Sequence, residues 1–211
     1  MLAAAATSPA LAQSQGISRT EIVIGTIQDL SGPVAAFGKQ SRNGMQLRVD
    51  EINEQGGIHG RKLKRLVEDN AYDPKRAVLA AQKLVNQDKI FLLAGHLGTA
   101  HNNAAMPVLF EKNVINFLPI IAAREMHEPF HRLKYSFAAT YYELIRLAAP
   151  KLAKDKGVKK PCTLYQDDEF GLEVRRGAEA GLKTLGLELA EQTSTRPSSA
   201  RTRRCSRATA T

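Results

Sequence analysis

Apolar and polar positions along this chain follow two alternating periods. Ile22, Val23, Ile24 and Ile27 form a β-branched run too short for a helix, the pattern of a strand covered on both faces. The run stops at the turn cluster Asp29-Leu30-Ser31-Gly32-Pro33. From Val34 the period lengthens: Met45, Val49 and Ile52 fall at i, i+4 and i+7, with Lys39, Arg42, Arg48, Glu51 and Glu54 off the stripe. Gly56-Gly57 supplies a helix stop, and Leu63, Leu66 and Val67 make a second short strand. Strand, covering helix and strand predict one right-handed crossover unit of an open parallel sheet. Ligands in such sheets sit beyond the carboxyl ends of the strands, so residues 30–38 are the first candidate site.

The same grammar continues. Asp73-Pro74 starts a second helix as N-cap and first helical residue, with Ala77, Ala80, Ala81, Leu84 and Val85 on its buried face. Residues 90–94 are the third strand, and Thr99 is placed to cap a third helix running to about residue 112 through Pro107. Residues 114–117 make a fourth strand, 118–125 a loop and 135–138 another short strand. A helix carrying Leu144, Leu147 and Leu152 follows. After the polar stretch 154–161 a new unit begins, with strand 162–165, loop 166–171, a helix using Val174, Ala178 and Leu182, and a short strand at 187–190. Alternating strands and helices predict an α/β fold whose second unit is the start of a second lobe.

Residues 194–211 hold no Leu, Ile, Val, Met or aromatic side chain and therefore add nothing to a core. They look like an out-of-frame ending, and a basic tail for an anionic partner is the other reading. The net charge is +9, and five arginines without an acid in that stretch supply more than half of it. The remaining charge is mixed along solvated faces, which argues against a nucleic-acid partner. Cys162 falls in a predicted core strand and Cys205 in the polar ending, so a buried free thiol is expected at Cys162 and no disulfide. At the other end, Ala10 and Ala12 form an Ala-x-Ala cleavage signature, which sets residues 1–16 outside the fold as a signal remnant.

Across residues 17–193, the stretches DLSGPVAAFGKQSRNGMQLRVDEINEQGGIHGRKL and EDNAYDPKRAVLAAQKLV resemble the type I periplasmic binding proteins of the leucine/isoleucine/valine group. These are the solute-binding components of ABC importers. The resemblance implies a parallel-sheet N-terminal lobe over residues 17–140 and the first part of a second α/β lobe over 141–193. Family chains continue for about as long again, so it also implies an unfinished second lobe, and an isolated product that is unstable or binds weakly. It implies ligand contacts from Ser31 and Phe37 in the first loop and from Gly98 and Thr99 after the third strand. Ala122 and Ala123 follow after the fourth, with Tyr141 at the lobe crossing and Phe170 in the second-lobe motif YQDDEFG. Each of these residue types also serves a turn, a cap or a packed core. Family members commonly carry threonine or serine in the third loop, where this chain has Ile120-Ile121-Ala122-Ala123-Arg124. Arg124 is read as a solvated arginine rather than a carboxylate partner.

The function so implied is the substrate-binding component of an ABC importer, a periplasmic monomer serving an inner-membrane permease, with no cofactor or metal. Its ligand is a branched-chain amino acid or a similar small carboxylate. The alternatives are an aromatic or aliphatic carboxylic acid as ligand, or a ligand-sensing regulatory domain of the same fold. Enzyme signatures are missing from the sequence: there is no GxGxxG after the first strand, no GxxxxGK[ST] and no GxSxG. His127 and His131 stand at i, i+4 around Pro129 without an evident third ligand, and His96 and His101 read as solvated or cap-associated.

Overall fold

The computed structural model describes residues 14–195, so the expected cleavage after Ala12 and the arginine-rich residues 196–211 lie outside the described residues. The first unit runs β1 (Glu21–Gln28), α1 (Ala35–Glu54), β2 (Lys62–Asp69), α2 (Pro74–Gln82), β3 (Leu92–Ala94), α3 (Thr99–Glu111), β4 (Ile115–Phe117) and β5 (Lys134–Tyr135). Its sheet is parallel throughout, in the order β2-β1-β3-β4-β5. A second unit adds α4 (Tyr141–Asp155), β6 (Cys162–Gln166), α5 (Glu169–Lys183) and β7 (Glu191–Thr195), with β6 and β7 parallel to each other. The parallel-sheet α/β class with a second unit is the one the alternating pattern predicts.

Burial explains the first unit. Ile27, Leu84, Val85, Ile90, Leu93, Leu109 and Val114 form one core with exposure of 1% or less. Each such side chain contributes about 1.5–3 kcal/mol relative to solvent. The α1 stripe behaves as its period requires: Val49 is buried, Met45 and Ile52 are half-buried, and Met45 Sδ reaches the end of β3 at Gly95. Asp73 accepts the Lys75 N–H at 2.7 Å, so the predicted Asp-Pro helix start is in place. α2 passes into one π-helical turn, Lys83–Gln87, which keeps Leu84 and Val85 on the core.

Several expectations are corrected. Gln15 and Gly16 belong to the fold: Gln15 Nε2 donates to the Val85 and Ile90 carbonyls, and the Gly16 carbonyl accepts the Val23 N–H. The third strand starts at Leu92, because the Ile90 N–H closes the preceding turn on the Leu84 carbonyl. The strand expected at 135–138 is only Lys134–Tyr135. The last strand is not 187–190 but the polar β7, since its register on β6 rests on parallel backbone bonds from Cys162–Glu191 onward rather than on apolar side chains. It includes Ser194 and Thr195. Cys162 is exposed, not buried, because among the described residues β6 pairs with one other strand, β7, which leaves the sheet open. His96 and His101, expected to be solvated or cap-associated, are both buried, His101 against the α3 N-cap Gly98.

Candidate functional site

Two carboxylates build the loop leaving β1. Asp29, fully buried, accepts the N–H groups of Gly32 at 2.5 Å and Val34 at 2.8 Å. Asp69, at the end of β2, accepts the N–H groups of Leu30 and Ala71, each at 2.9 Å, and the Ser31 hydroxyl at 2.5 Å. Burial alone would raise the Asp69 carboxyl, but those three bonds and nearby Arg76 outweigh it and hold the group below the usual carboxylate range. The Ser31 hydrogen is therefore committed to Asp69, and its oxygen is left to accept rather than donate. Phe37, one helical turn on, keeps half its ring in solvent.

The loop leaving β3 is locked more tightly. Gly98 has φ +99°, and an added Cβ would lie 2.3 Å from His101 Nδ1, so glycine is required here. Gly98, not Thr99, is the N-cap of α3. Thr99 is the first helical residue, 2% exposed, and its Oγ1 meets no partner. Asn102 Nδ2 donates to the His96 carbonyl at 3.0 Å and the Gly98 carbonyl at 2.8 Å. Its Oδ1 in turn accepts from Asn116 Nδ2 at 3.0 Å. Burial, and secondarily neighbouring His101, push the His96 imidazole down to about 3. His101 is lowered by burial against the pull of Asp168, Asp29 and Asp73.

The second unit closes on these loops. The Tyr141 N–H donates to the Ala122 carbonyl at 2.7 Å, and the Tyr141 ring meets Phe170 edge-on at 4.9 Å. Burial raises the Tyr141 hydroxyl, and the ring packs on the cluster holding Ile121, Ala123 and Met126. Tyr72 tilts over His101 at 4.4 Å, and its hydroxyl accepts from Gln166 Nε2 at 3.3 Å. Between the starts of α2 and α3 and the β6–α5 loop lies a groove of about 530 Å³, lined by Pro74, Ala100, Asn103, Ala104, Asp167, Asp168, Glu169 and Leu172. Arg124 is not simply solvated: its guanidinium lies over the Tyr142 ring at 4.4 Å. Its backbone N–H meets both carboxylate oxygens of Glu173 at 3.1 Å.

A profile described as periplasmic binding protein matches residues 21–201. The chain belongs to that family. It is 29% identical over 179 residues to Leu/Ile/Val-binding protein homolog 7 of Brucella suis, covering 80% of this chain and 44% of that one. It is 27% identical over 180 residues to the Leu/Ile/Val/Thr-binding protein of Salmonella typhimurium, covering 85% and 49%. The crystal structure of a substrate-binding periplasmic protein from Ralstonia solanacearum superposes with a TM-score of 0.77 at 27% identity, over 84% of this chain and 50% of that one. The chain thus spans about half the length of the relatives it matches.

In this periplasmic binding protein, the sequence candidates divide into two groups. Ala122, Ala123, Tyr141 and Phe170 form one contiguous contact set, and the bridge between Leu97 and Ile120 brings the Gly98–Thr99 loop alongside it. Ser31 and Phe37 stand apart in their contacts, Ser31 on Asp69 and Phe37 half in solvent. The eight candidates do not line the 530 Å³ groove. Sequence reasoning passed over Tyr72, Asn102 and Glu173, and set His101 aside as solvated or cap-associated. An asparagine pair in the first turn of a largely apolar helix was the available signal for Asn102. An aromatic just before an Asp-Pro helix start was the signal for Tyr72, which has a φ of +56°. Among the described residues no group of three or more His, Cys, Asp or Glu could hold a metal ion, and no helix is long and apolar enough to cross a membrane. His131 is stacked on Phe110 at 4.1 Å and His127 meets the Ala138 carbonyl at 3.1 Å.

Proposed function

We propose that this chain binds a small carboxylate-bearing solute in the cleft between two lobes, residues 15–140 and 141–195, as the periplasmic substrate-binding component of an ABC importer. In this reading it acts as a monomer and hands the solute to the permease. The supporting observation is the start of α3. Its first-turn N–H groups and the unpartnered, buried Thr99 hydroxyl belong to the loop that the Leu97–Ile120 bridge ties to the one carrying Ala122. A helix N-terminus favours an anion, and a buried hydroxyl without a partner costs about 1–3 kcal/mol, which a ligand oxygen recovers. Ser31, with its hydrogen given to Asp69, suits a ligand donor such as an ammonium rather than the carboxylate. The Tyr141–Phe170 pair supplies an apolar wall.

A branched-chain amino acid is the first choice of ligand, as the names of the Brucella and Salmonella relatives suggest. An aromatic or aliphatic carboxylic acid is the second, favoured by the missing hydroxyl at Ala122-Ala123 and by the aromatic pair. Calorimetric titration with leucine, isoleucine, valine and 4-hydroxybenzoate separates them. One class is expected to bind, and Thr99→Val to weaken it about tenfold or more. No heat from any of the four, or full affinity in the Thr99 variant, would overturn the reading.

A further inference from the structure

Glu173 is the one carboxylate of α5 that is buried, with 7% exposure. Its Oε1 accepts the N–H groups of Arg124 at 3.1 Å and Tyr142 at 3.3 Å, and its Oε2 also faces the Arg124 N–H at 3.1 Å. The two donors belong to different parts of the chain. Arg124 ends the loop that carries Ala122 and Ala123, and Tyr142 is the second residue of α4, beside Tyr141. One side chain of the second unit thus satisfies backbone donors on both sides of the crossing between units. Neither donor has a carbonyl partner in its own segment, because each opens a helical turn, Arg124 a 3-10 turn and Tyr142 the helix α4.

We propose that Glu173 is a positioning residue that docks the second unit onto the loop following β4, holding Ala122–Ala123 and Tyr141 in register with each other. The role rests on the solute-binding reading only for the meaning of that loop. Charged and titratable neighbours frame the carboxylate: Arg124 and Glu125 from the loop, Tyr141 and Tyr142 from α4, and Glu169 and Arg176 along α5. α3 presents Asn103 and two alanines to the same end of α5. Burial outweighs the two N–H bonds and raises the Glu173 carboxyl, with Glu125 adding to the rise and Arg124 opposing it. A docked Glu173 therefore holds its proton more readily than one released into water, and docking strengthens as pH falls toward the ordinary carboxylate range.

The test is a spin-label distance between the exposed native Cys162 on β6 and Lys39→Cys on α1, in the full chain carrying Cys205→Ser. The unaltered site is expected to give a dominant docked distance whose share grows on mild acidification. Glu173→Ala shifts it to longer distances. Glu173→Gln, whose amide oxygen can still accept both donors, keeps it short and removes the pH response. Arg124→Pro deletes one donor from the other side, with a ring that suits the first position of the 3-10 turn, and gives the same shift as Glu173→Ala. The double variant adds nothing to either single one. If Glu173→Ala does not fold, Arg124→Pro and the pH response of Glu173→Gln still decide the matter. Unchanged distances in Glu173→Ala or Arg124→Pro, or a pH response retained in Glu173→Gln, would overturn the docking role and leave the solute reading standing. Absence of solute heat with the distance shifts intact would do the reverse.

Discussion

The two parallel sheets use one grammar, strand then helix then strand, and come out unequal. In the five-stranded unit seven large apolar side chains lose essentially all contact with water. In the two-stranded unit the buried apolar side chains are Ala153 and Leu182, while Leu144, Leu147, Leu152 and Leu164 stay 50–63% exposed. The second unit is instead held by close helix packing and polar ties: Gly177 and Gly181 of α5 against the α4 backbone, and Glu173 on two backbone donors. Backbone bonding is enough to set register and crossover. Burial, which supplies most of the folding free energy, is concentrated in the first unit.

The sharpest break of that comparison is a pair of leucine truncations. Leu84→Ala removes a fully buried side chain and is expected to cost about 2–5 kcal/mol, whereas Leu147→Ala on the open face of α4 stays within about 0.5 kcal/mol. Urea unfolding of the two variants checks this, and equal losses would show that α4 is covered after all. Acid gives the next largest effect. His96 titrates near 6.5 when unfolded and near 3 in the fold, so the folded chain binds fewer protons between those values. Its contribution is intact above pH 6.5 and drains as pH falls toward 3, by a few kcal/mol in all. All five histidines precede residue 132, so this loss belongs to the first unit, while the raised carboxyl of Glu173 has the opposite sign in the second. Amide exchange corrected for intrinsic rates should show β1 and β3 losing protection before α5 on acidification. His96→Gln should flatten the acid limb.

The elements of the first unit were legible because period and burial agree there: β1, the α1 stripe and the Asp-Pro start of α2 all fall where the pattern places them. The second unit was harder. The alternating stretch Leu187-Glu188-Leu189-Ala190 suggested a strand, yet the strand is Glu191–Thr195, where partner backbone rather than side-chain pattern decides. Cys162 in an apolar context suggested burial, which would have needed more sheet over β6 than two strands provide. The candidate site was half legible. Phe170 was nominated by the family resemblance of YQDDEFG and Tyr141 by its place at the crossing between units, and the structure puts the two rings edge to edge. Glu173 could not, because a glutamate in mid-helix carries no mark of the two backbone donors that fold against it, 31 and 49 residues away.

The finest discrimination lies in two glycines. An added Cβ at Gly177 would fall 2.6 Å from the Tyr142 carbonyl oxygen and 3.1 Å from its Cα. At Gly44, in the middle of α1, it would meet nothing within 4 Å. Helix propensity alone makes Gly→Ala favourable at both places by about 0.5–1 kcal/mol. At Gly177 the obstacle is backbone rather than the movable end of a side chain, so α4 and α5 must separate. Overpacking of that kind costs about 1–3 kcal/mol and exceeds the propensity gain. Gly44→Ala is therefore expected to stabilise and Gly177→Ala to destabilise by about 1 kcal/mol or slightly more, with exchange protection lost from α5 while β1 keeps its own. Thermal unfolding reads the two signs directly. Stabilisation by both substitutions would mean that α4 and α5 are not in backbone contact, and the second unit would then lack the packing that takes the place of a core.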